Sequence, residues 1–212
     1  MSAAPLPAEF HWTTSGAANG VSGEELASEL IALVNRRVSV NTICDLGCGN
    51  GYLSGRLAAL GYQVTGVDVS NSGIEIATQN NPGVRFVKAV IDSQLESRLD
   101  TKFDLVISSD VIEHLYRPAE LLESARSLLV AGGKLIITTP YHGYIKNLVL
   151  ALTGKMDAHF CVLHDGGHIK FFSVKTLSEL LRSYGFTDFQ FSFYGRAPML
   201  WKNMICLARL QD

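Results

Sequence analysis

Residues 41 to 61, NTICDLGCGNGYLSGRLAALG, constrain the fold more than any other part of the chain. An apolar run of strand length is followed by a turn with glycines at 47, 49 and 51, and a helical pattern then runs to Gly61. The alternation continues. QVTGVDV reads as a strand, a helix ends at NNPG, VRFVK and FDLVISS are strands, and a helix starts at Pro118. That helix sets Leu121, Leu122, Ala125, Leu128 and Leu129 on one face and is expected to stop at Gly132 and Gly133. KLIITT is a fifth strand, and SVKTLSELLRSYG a helix capped by Ser173 and ended by Gly185. FTDFQFSFYG and WKNMICLARL have only RAPML between them, too short for a parallel crossover, so they should pair antiparallel. Ahead of the first strand, Ser22 and Glu25 have capping-box spacing before Leu26, Leu30 and Leu33. The expected fold class is α/β: a doubly wound, mostly parallel seven-stranded sheet with an antiparallel last strand. The expected organisation is a single domain over residues 1–212, with an arm at 1–20 and an insertion at 140–168.

Composition narrows the function. Charged residues make up 18% of the 212 and the hydrophobic set 47%, which is ordinary for a globular chain. With 18 Lys+Arg against 20 Asp+Glu and no dense basic run, a strong electrostatic grip on nucleic acid is not expected. Cys44, Cys48, Cys161 and Cys206 form no C-x-x-C pair, and MSAAPLPAEF lacks the features of a secretory signal, so a reducing cytoplasm is the expected compartment. No apolar run has the length of a spanning helix, which excludes stable membrane insertion on this evidence.

In a parallel sheet, ligands bind at the carboxyl ends of strands where strand order reverses, so DLGCGNG at 45–51 is the prime site. Its glycines allow a tight turn and close backbone approach to a ligand. A plain structural turn, a dinucleotide site and a site for a cationic ligand compete. Tyr52 stands where the dinucleotide fingerprint has its last glycine, and Asp45 beside the turn would disfavour a pyrophosphate but suit an ammonium. Asp68, ending the second strand, could accept hydrogen bonds from both ribose hydroxyls.

DLGCGNG, VTGVDVS, FDLVISSDVIEHL and LLVAGGKLIITTP occur in the order and at roughly the spacing of class I S-adenosylmethionine-dependent methyltransferases, which this chain resembles over residues 41–140. The resemblance implies a Rossmann-like methyltransferase fold, S-adenosyl-L-methionine as cofactor and S-adenosyl-L-homocysteine as product. It assigns the methionine part of the cofactor to Asp45, Gly47, Cys48 and Gly49, and the ribose to Asp68. Val69 would flank the adenine, Val90 or Ile91 would contact it from the third-strand loop, and Ser109 and Asp110 would lie beside the sulfonium. Trp12, in the arm, either closes over the site or packs as an ordinary core or surface residue.

VISSDVIEHLYRP, residues 106 to 118, carries the catalytic question. Asp110 and Glu113 could cap a helix. Alternatively, Asp110, Glu113 and His114 share a helical face at the carboxyl edge of the fourth strand, beside the expected methyl group. DVIEHL is similar to the E-x-x-E-H arrangement of the small-RNA 3′-terminal methyltransferases, in which acids and histidines bind a divalent metal. It is similar also to the ubiquinone-pathway O-methyltransferases. Here Asp110 stands where that pattern has Glu, and no metal ligand is assigned. Downstream, HDGGHIKFFS offers His164 and His168, which either converge with His114 or serve as hydrogen-bonded structural groups. An imidazole with its ordinary pKa of about 6.5 suits a general base near neutral pH. The expected catalytic set is therefore His114, His168 and Asp110.

Tyr141, Tyr144, Leu148, Leu150, Met156 and Phe160 make the insertion apolar, as fits a lid over an aromatic, isoprenoid or sugar-linked acceptor or a helix docked on the domain. Transient membrane contact there is a minor alternative, since basic residues are few. The expected function is methyl transfer to a small-molecule acceptor at oxygen by a monomer or weak homodimer. A catalytically silent cofactor-binding module and an NAD-dependent oxidoreductase are the alternatives.

Overall fold

The computed structural model describes residues 10–18, 20–160 and 166–211. Seven strands form one sheet: β1 (Thr42–Leu46), β2 (Gln63–Asp68), β3 (Arg85–Lys88), β4 (Phe103–Ser109), β5 (Leu129–Pro140), β6 (Phe186–Tyr194) and β7 (Asn203–Leu210). Their order is β3-β2-β1-β4-β5-β7-β6. β7 pairs antiparallel with β5 and β6, and every other pairing is parallel, as the short RAPML link required. Strand order reverses between β1 and β4, so their carboxyl ends border the ligand crevice of a doubly wound sheet.

Period-two alternation divides the core between the two faces of the sheet. Ile43, Leu105, Ile107 and Ile136 point to one face and pack with Leu26, Leu30 and Val34 of α1 (Val21–Arg37) and Leu57 of α2 (Tyr52–Ala59). Cys44, Leu46, Val106, Leu135 and Ile137 point to the other. There they meet Leu121, Leu122, Ala125 and Leu128 of α5 (Pro118–Leu128) and Leu177 and Leu181 of α8 (Val174–Ser183). α3 (Asn71–Asn80) joins β2 to β3. Gly51, at φ 75°, lies so close to Ala77 of this helix that a Cβ would come within 2.7 Å.

Local signals were partly obeyed. Ser173 caps α8 in a full capping box with Thr176. The expected box at Ser22 and Glu25 does not form: the helix begins at Val21 behind Gly20, and the Ser22 hydroxyl, inside the first turn, accepts from Lys202. α5 ends at Leu128 and β5 starts at once, so Gly132 and Gly133 lie in the strand rather than stopping the helix. A short helix, α4 (Leu95–Leu99), was not anticipated; it buries Leu95 and Leu99 fully. The insertion contains α6 (Tyr144–Leu152) and α7 (Met156–Phe160). Tyr141 and Leu150 are buried, whereas Tyr144 is 79% exposed and Leu148 and Met156 each 42%, so half of the expected apolar lid residues face outward. No helix among the described residues is long and apolar enough to cross a membrane.

Candidate active site

The glycine turn after β1 is tied to β2: the Gly47 and Cys48 amides donate to the Val67 carbonyl (2.8 and 3.0 Å). Gly47, Gly49 and Gly51 have φ of 82°, 53° and 75°, the left-handed region in which a side chain is strained. Asp45 is buried and accepts from the Ser54 hydroxyl at 2.6 Å. Burial, reinforced by Asp68, pushes its carboxyl up to about 6 against the opposing Ser54 bond. An ammonium beside it would restore the charged form, which is what an amino-acid tail supplies. Asp68 accepts from the Gly49 amide (2.8 Å) and, through its other oxygen, from the Ser70 amide (2.8 Å). It thus braces the turn from the end of β2. Cys48 is buried behind the turn, its thiol pushed well up by burial. Val69, Val90 and Ile91 follow β2 and β3 and are each half-buried at the same edge.

The arm folds over this turn. Trp12 donates its amide to Ser72 Oγ (2.9 Å), and Asn50 donates to the Thr14 and Gly16 carbonyls (both 2.7 Å). The Trp12 ring lies so close to Gly49 that a Cβ there would approach it to 2.3 Å. Of the two uses considered for Trp12, the structure has it covering the glycine turn. Residues 1–9 of the arm lie outside the described residues.

The opening of VIEHL is not a helix cap. Asp110 has φ 52°, Val111 precedes a 3₁₀ turn at Ile112–His114, and no side chain caps it. Positions 110, 113 and 114 therefore do not share one helical face. Asp110 is held elsewhere: Thr138 Oγ1 donates to its Oδ1 at 2.7 Å, and Asn203 donates to both oxygens at 3.1 and 3.2 Å. Its amide reaches the Thr138 hydroxyl (3.0 Å). Burial raises its carboxyl above the usual range against these bonds. Ser109 sits 3.1 Å from the same Thr138 hydroxyl. Thr138 and Asn203 were missed from sequence, because they come from strands far along the chain. The register Pro140↔Asn203 puts the start of antiparallel β7 at the rim where β5 ends.

Glu113 and the two histidines form a second cluster. Glu113 is fully buried and neither carboxylate oxygen has a hydrogen-bond partner. Burial, then Asp110, pushes its carboxyl well up; the Thr139 hydroxyl opposes this from outside hydrogen-bond geometry and is itself unsatisfied. The Glu113 carbonyl accepts from the Ile169 and Lys170 amides (2.9 and 3.0 Å), which brings His168 back over the edge. His168 Nε2 stands 4.0 Å from Glu113 Oε1, and its ring meets that of His114 edge-on at 4.8 Å. His114 and His168 thus converge as expected; His164 lies outside the described residues. His114 Nδ1 is 2.8 Å from the Gly166 carbonyl. A carbonyl only accepts, so Nδ1 donates, and in the neutral imidazole Nε2 would be the acceptor. Burial, then His114 and His159, pull the His168 imidazole down to about 4, so it is neutral near pH 7.

One ligand atom each from Glu113, His114 and His168 all fall within 4.8 Å of one another. A buried carboxyl group without a hydrogen-bond partner beside two imidazoles is a donor set that a divalent cation fits once the acid gives up its proton. Asp110 does not belong to it, being turned into Thr138 and Asn203.

A doubly wound sheet with a switch-point glycine turn, a buried acid before it and a second acid after the next strand defines the class I methyltransferase architecture. The methyltransferase domain family matches residues 21–190, and the chain belongs to that family, whose cofactor is S-adenosylmethionine. The ubiquinone biosynthesis O-methyltransferase of Rickettsia akari (strain Hartford) is 33% identical over 125 residues, covering 57% of this chain and 49% of that protein. The chain spans about half the length of the curated relatives it matches first. Among solved structures, a SAM dependent methyltransferase from Archaeoglobus fulgidus aligns with a TM-score of 0.70 at 20% identity, over 90% of this chain and 95% of that one. Magnesium protoporphyrin IX methyltransferase from Synechocystis PCC 6803 with bound SAH gives 0.69 at 22%, over 90% and 84%.

Proposed function

We propose that the chain transfers the methyl group of S-adenosylmethionine to an oxygen of a small-molecule acceptor held under the 140–168 insertion, with His114 as the base. The carrying observation is the 2.8 Å contact of His114 Nδ1 with the Gly166 carbonyl, which assigns the donor role to Nδ1 and leaves Nε2 of the neutral imidazole as the acceptor at the carboxyl edge of β4. The methyl leaves sulfur as the acceptor oxygen attacks; the S–C electrons remain on sulfur and the hydroxyl proton passes to His114 Nε2. Alignment of the two reactants supplies about 7–11 kcal/mol and a base about 10²- to 10⁴-fold. The similarity to ubiquinone biosynthesis O-methyltransferases supports an oxygen acceptor.

Turnover of S-adenosylmethionine over a panel of phenolic and alcoholic acceptors tests this. We expect His114→Gln to lower kcat at least about 10²-fold while leaving S-adenosylhomocysteine affinity unchanged. Full activity in that variant would refute the base. Cofactor binding with no turnover on any acceptor class would favour a silent binding module.

The unsatisfied Glu113 carboxylate supports a second reading, in which Glu113, His114 and His168 hold a divalent cation. Such an ion would lower the pKa of an acceptor hydroxyl. Loss of activity with a chelator and recovery with added metal would favour it over His114 acting alone.

A further inference from the structure

At the insertion, Leu150, Lys155, Ala158, His159 and Arg196 wall an open cavity of about 620 Å³. Its basic groups arrive from three places: Lys155 from the α6–α7 turn, His159 from α7, and Arg196 from the β6–β7 loop. Lys146, only 3% exposed, lies within their electrostatic reach. Burial first, and then the Arg196 charge, pull its ammonium down to about 8. His159 is lowered in turn by burial, Lys146 and Arg196.

The charges of Lys146 and Arg196 oppose each other and the protonation of His159. Among the described residues no carboxylate forms an ion pair with Lys146, Lys155, His159 or Arg196, and Asp157 on the same short helix pairs with none of them. Lys146 donates to the Tyr141 and Lys202 carbonyls, which hold it in place without neutralising it. The loop that presents Arg196 is itself strained: Arg196 and Met199 have φ of 64° and 66°. Its turn is held by the Leu200 amide on the Ala197 carbonyl and the Lys202 amide on the Tyr194 carbonyl, both 3.0 Å. Non-glycine residues keep such φ values only where the surroundings impose them, and such residues gather at binding sites. The cavity also adjoins the proposed catalytic cluster through one ring: His142 lies 5.4 Å from His159 and feels the charge of His168.

We propose that this cavity is an anion subsite that takes a carboxylate or phosphate carried by the methyl acceptor, away from the atom that is methylated. The proposal rests on the methyl-transfer reading above for the word acceptor, but the subsite itself does not. An anion there offsets the repulsion among Lys146, His159 and Arg196 and gains charge-assisted hydrogen bonds from the lining groups, with Arg196 able to bind it in a two-pronged fashion. The acceptor is thereby restricted to molecules bearing an acidic group as well as a nucleophilic oxygen.

The test titrates inorganic phosphate and, separately, benzoate into the full chain with and without saturating S-adenosylhomocysteine, following heat and the imidazole resonances of His159. Wild type, Arg196→Gln and Lys155→Gln are compared. We expect one of the two anions to shift His159 and to bind at least about tenfold more weakly in Arg196→Gln, with Lys155→Gln changed in the same sense. The tighter anion tells phosphate from carboxylate. Folding of each variant is checked by its unchanged affinity for S-adenosylhomocysteine. No shift of His159 with either anion, or equal affinity in wild type and both variants, overturns the subsite. Failure of the wild type to bind S-adenosylhomocysteine would instead remove the methyl-transfer reading, while the anion titration without that ligand still decides the subsite.

Discussion

Asp110 combines a left-handed backbone with a carboxylate whose partners are Thr138 and Asn203. Removing Asn203's amide takes away the one nitrogen that reaches both oxygens, so Asn203→Ala should cost about 1–3 kcal/mol in urea denaturation. It should also lower kcat more than a surface substitution of equal destabilisation. Asp45 makes a pH-dependent prediction. Its carboxyl stands at about 6 in the free chain, and a bound ammonium favours the charged form. Affinity for S-adenosylhomocysteine should therefore fall as pH drops through about 6, and the dependence should vanish in Asp45→Asn. Calorimetry across that range reads it. Asp45 and Asp68 were legible from sequence because each ends a strand beside a turn that advertises itself through glycine. Glu113 was legible as an acid but not as a buried one, since no local pattern tells a capping carboxylate from an orphan.

At the scale of elements, the glycine turn and the VIEHL segment are one packed unit. A Cβ on Gly47 would lie 2.3 Å from a Val111 methyl, at φ 82°. Gly47→Ala should weaken S-adenosylhomocysteine at least about tenfold, and Val111→Ala added to it should recover only part. The clash is then relieved, but the left-handed backbone still costs about 1–2 kcal/mol. The arm is the second coupled element. Trp12→Ala uncovers Gly49, so dissociation of S-adenosylhomocysteine in stopped flow should speed up with a smaller change in association. Strand and helix order could be read from periodicity, including the antiparallel pair at 186–210, because a five-residue link leaves no other geometry. Boundaries were harder: β5 runs back to Leu129 because Leu129 pairs with Phe103 of β4 across a register shift, with Gly132 at φ 67° carrying the chain to the regular pairing that resumes at Lys134. The Ser22 box failed because Lys202, 180 residues away, claims the hydroxyl.

For the molecule as a whole, the histidines of the insertion set the response to acid. Burial, then Lys146 and His159, pull His142 down to about 4, and His168 is lowered likewise. In the unfolded chain an imidazole titrates near about 6.5, so between about 6.5 and about 4 the unfolded state takes up protons that the folded state refuses. This contribution is whole above about 6.5 and drains away as pH falls towards 4. Asp45, raised to about 6, acts in the opposite sense over part of that window. The stability difference between wild type and His142→Phe, measured by urea at several pH values, isolates the imidazole and should shrink as pH falls. None of this was visible in the sequence, where His142 and His159 carry no motif; they matter only because α6 and α7 fold them against Phe160 and Phe171. The return of β7 along β5 has a last implication, for biosynthesis. A nascent polypeptide that has already laid down the glycine turn, the β4 rim and the insertion still lacks Asn203, so Asp110 has Thr138 but not yet the β7 amide. Its carboxyl therefore gains its full set of partners only when the penultimate sheet position is filled.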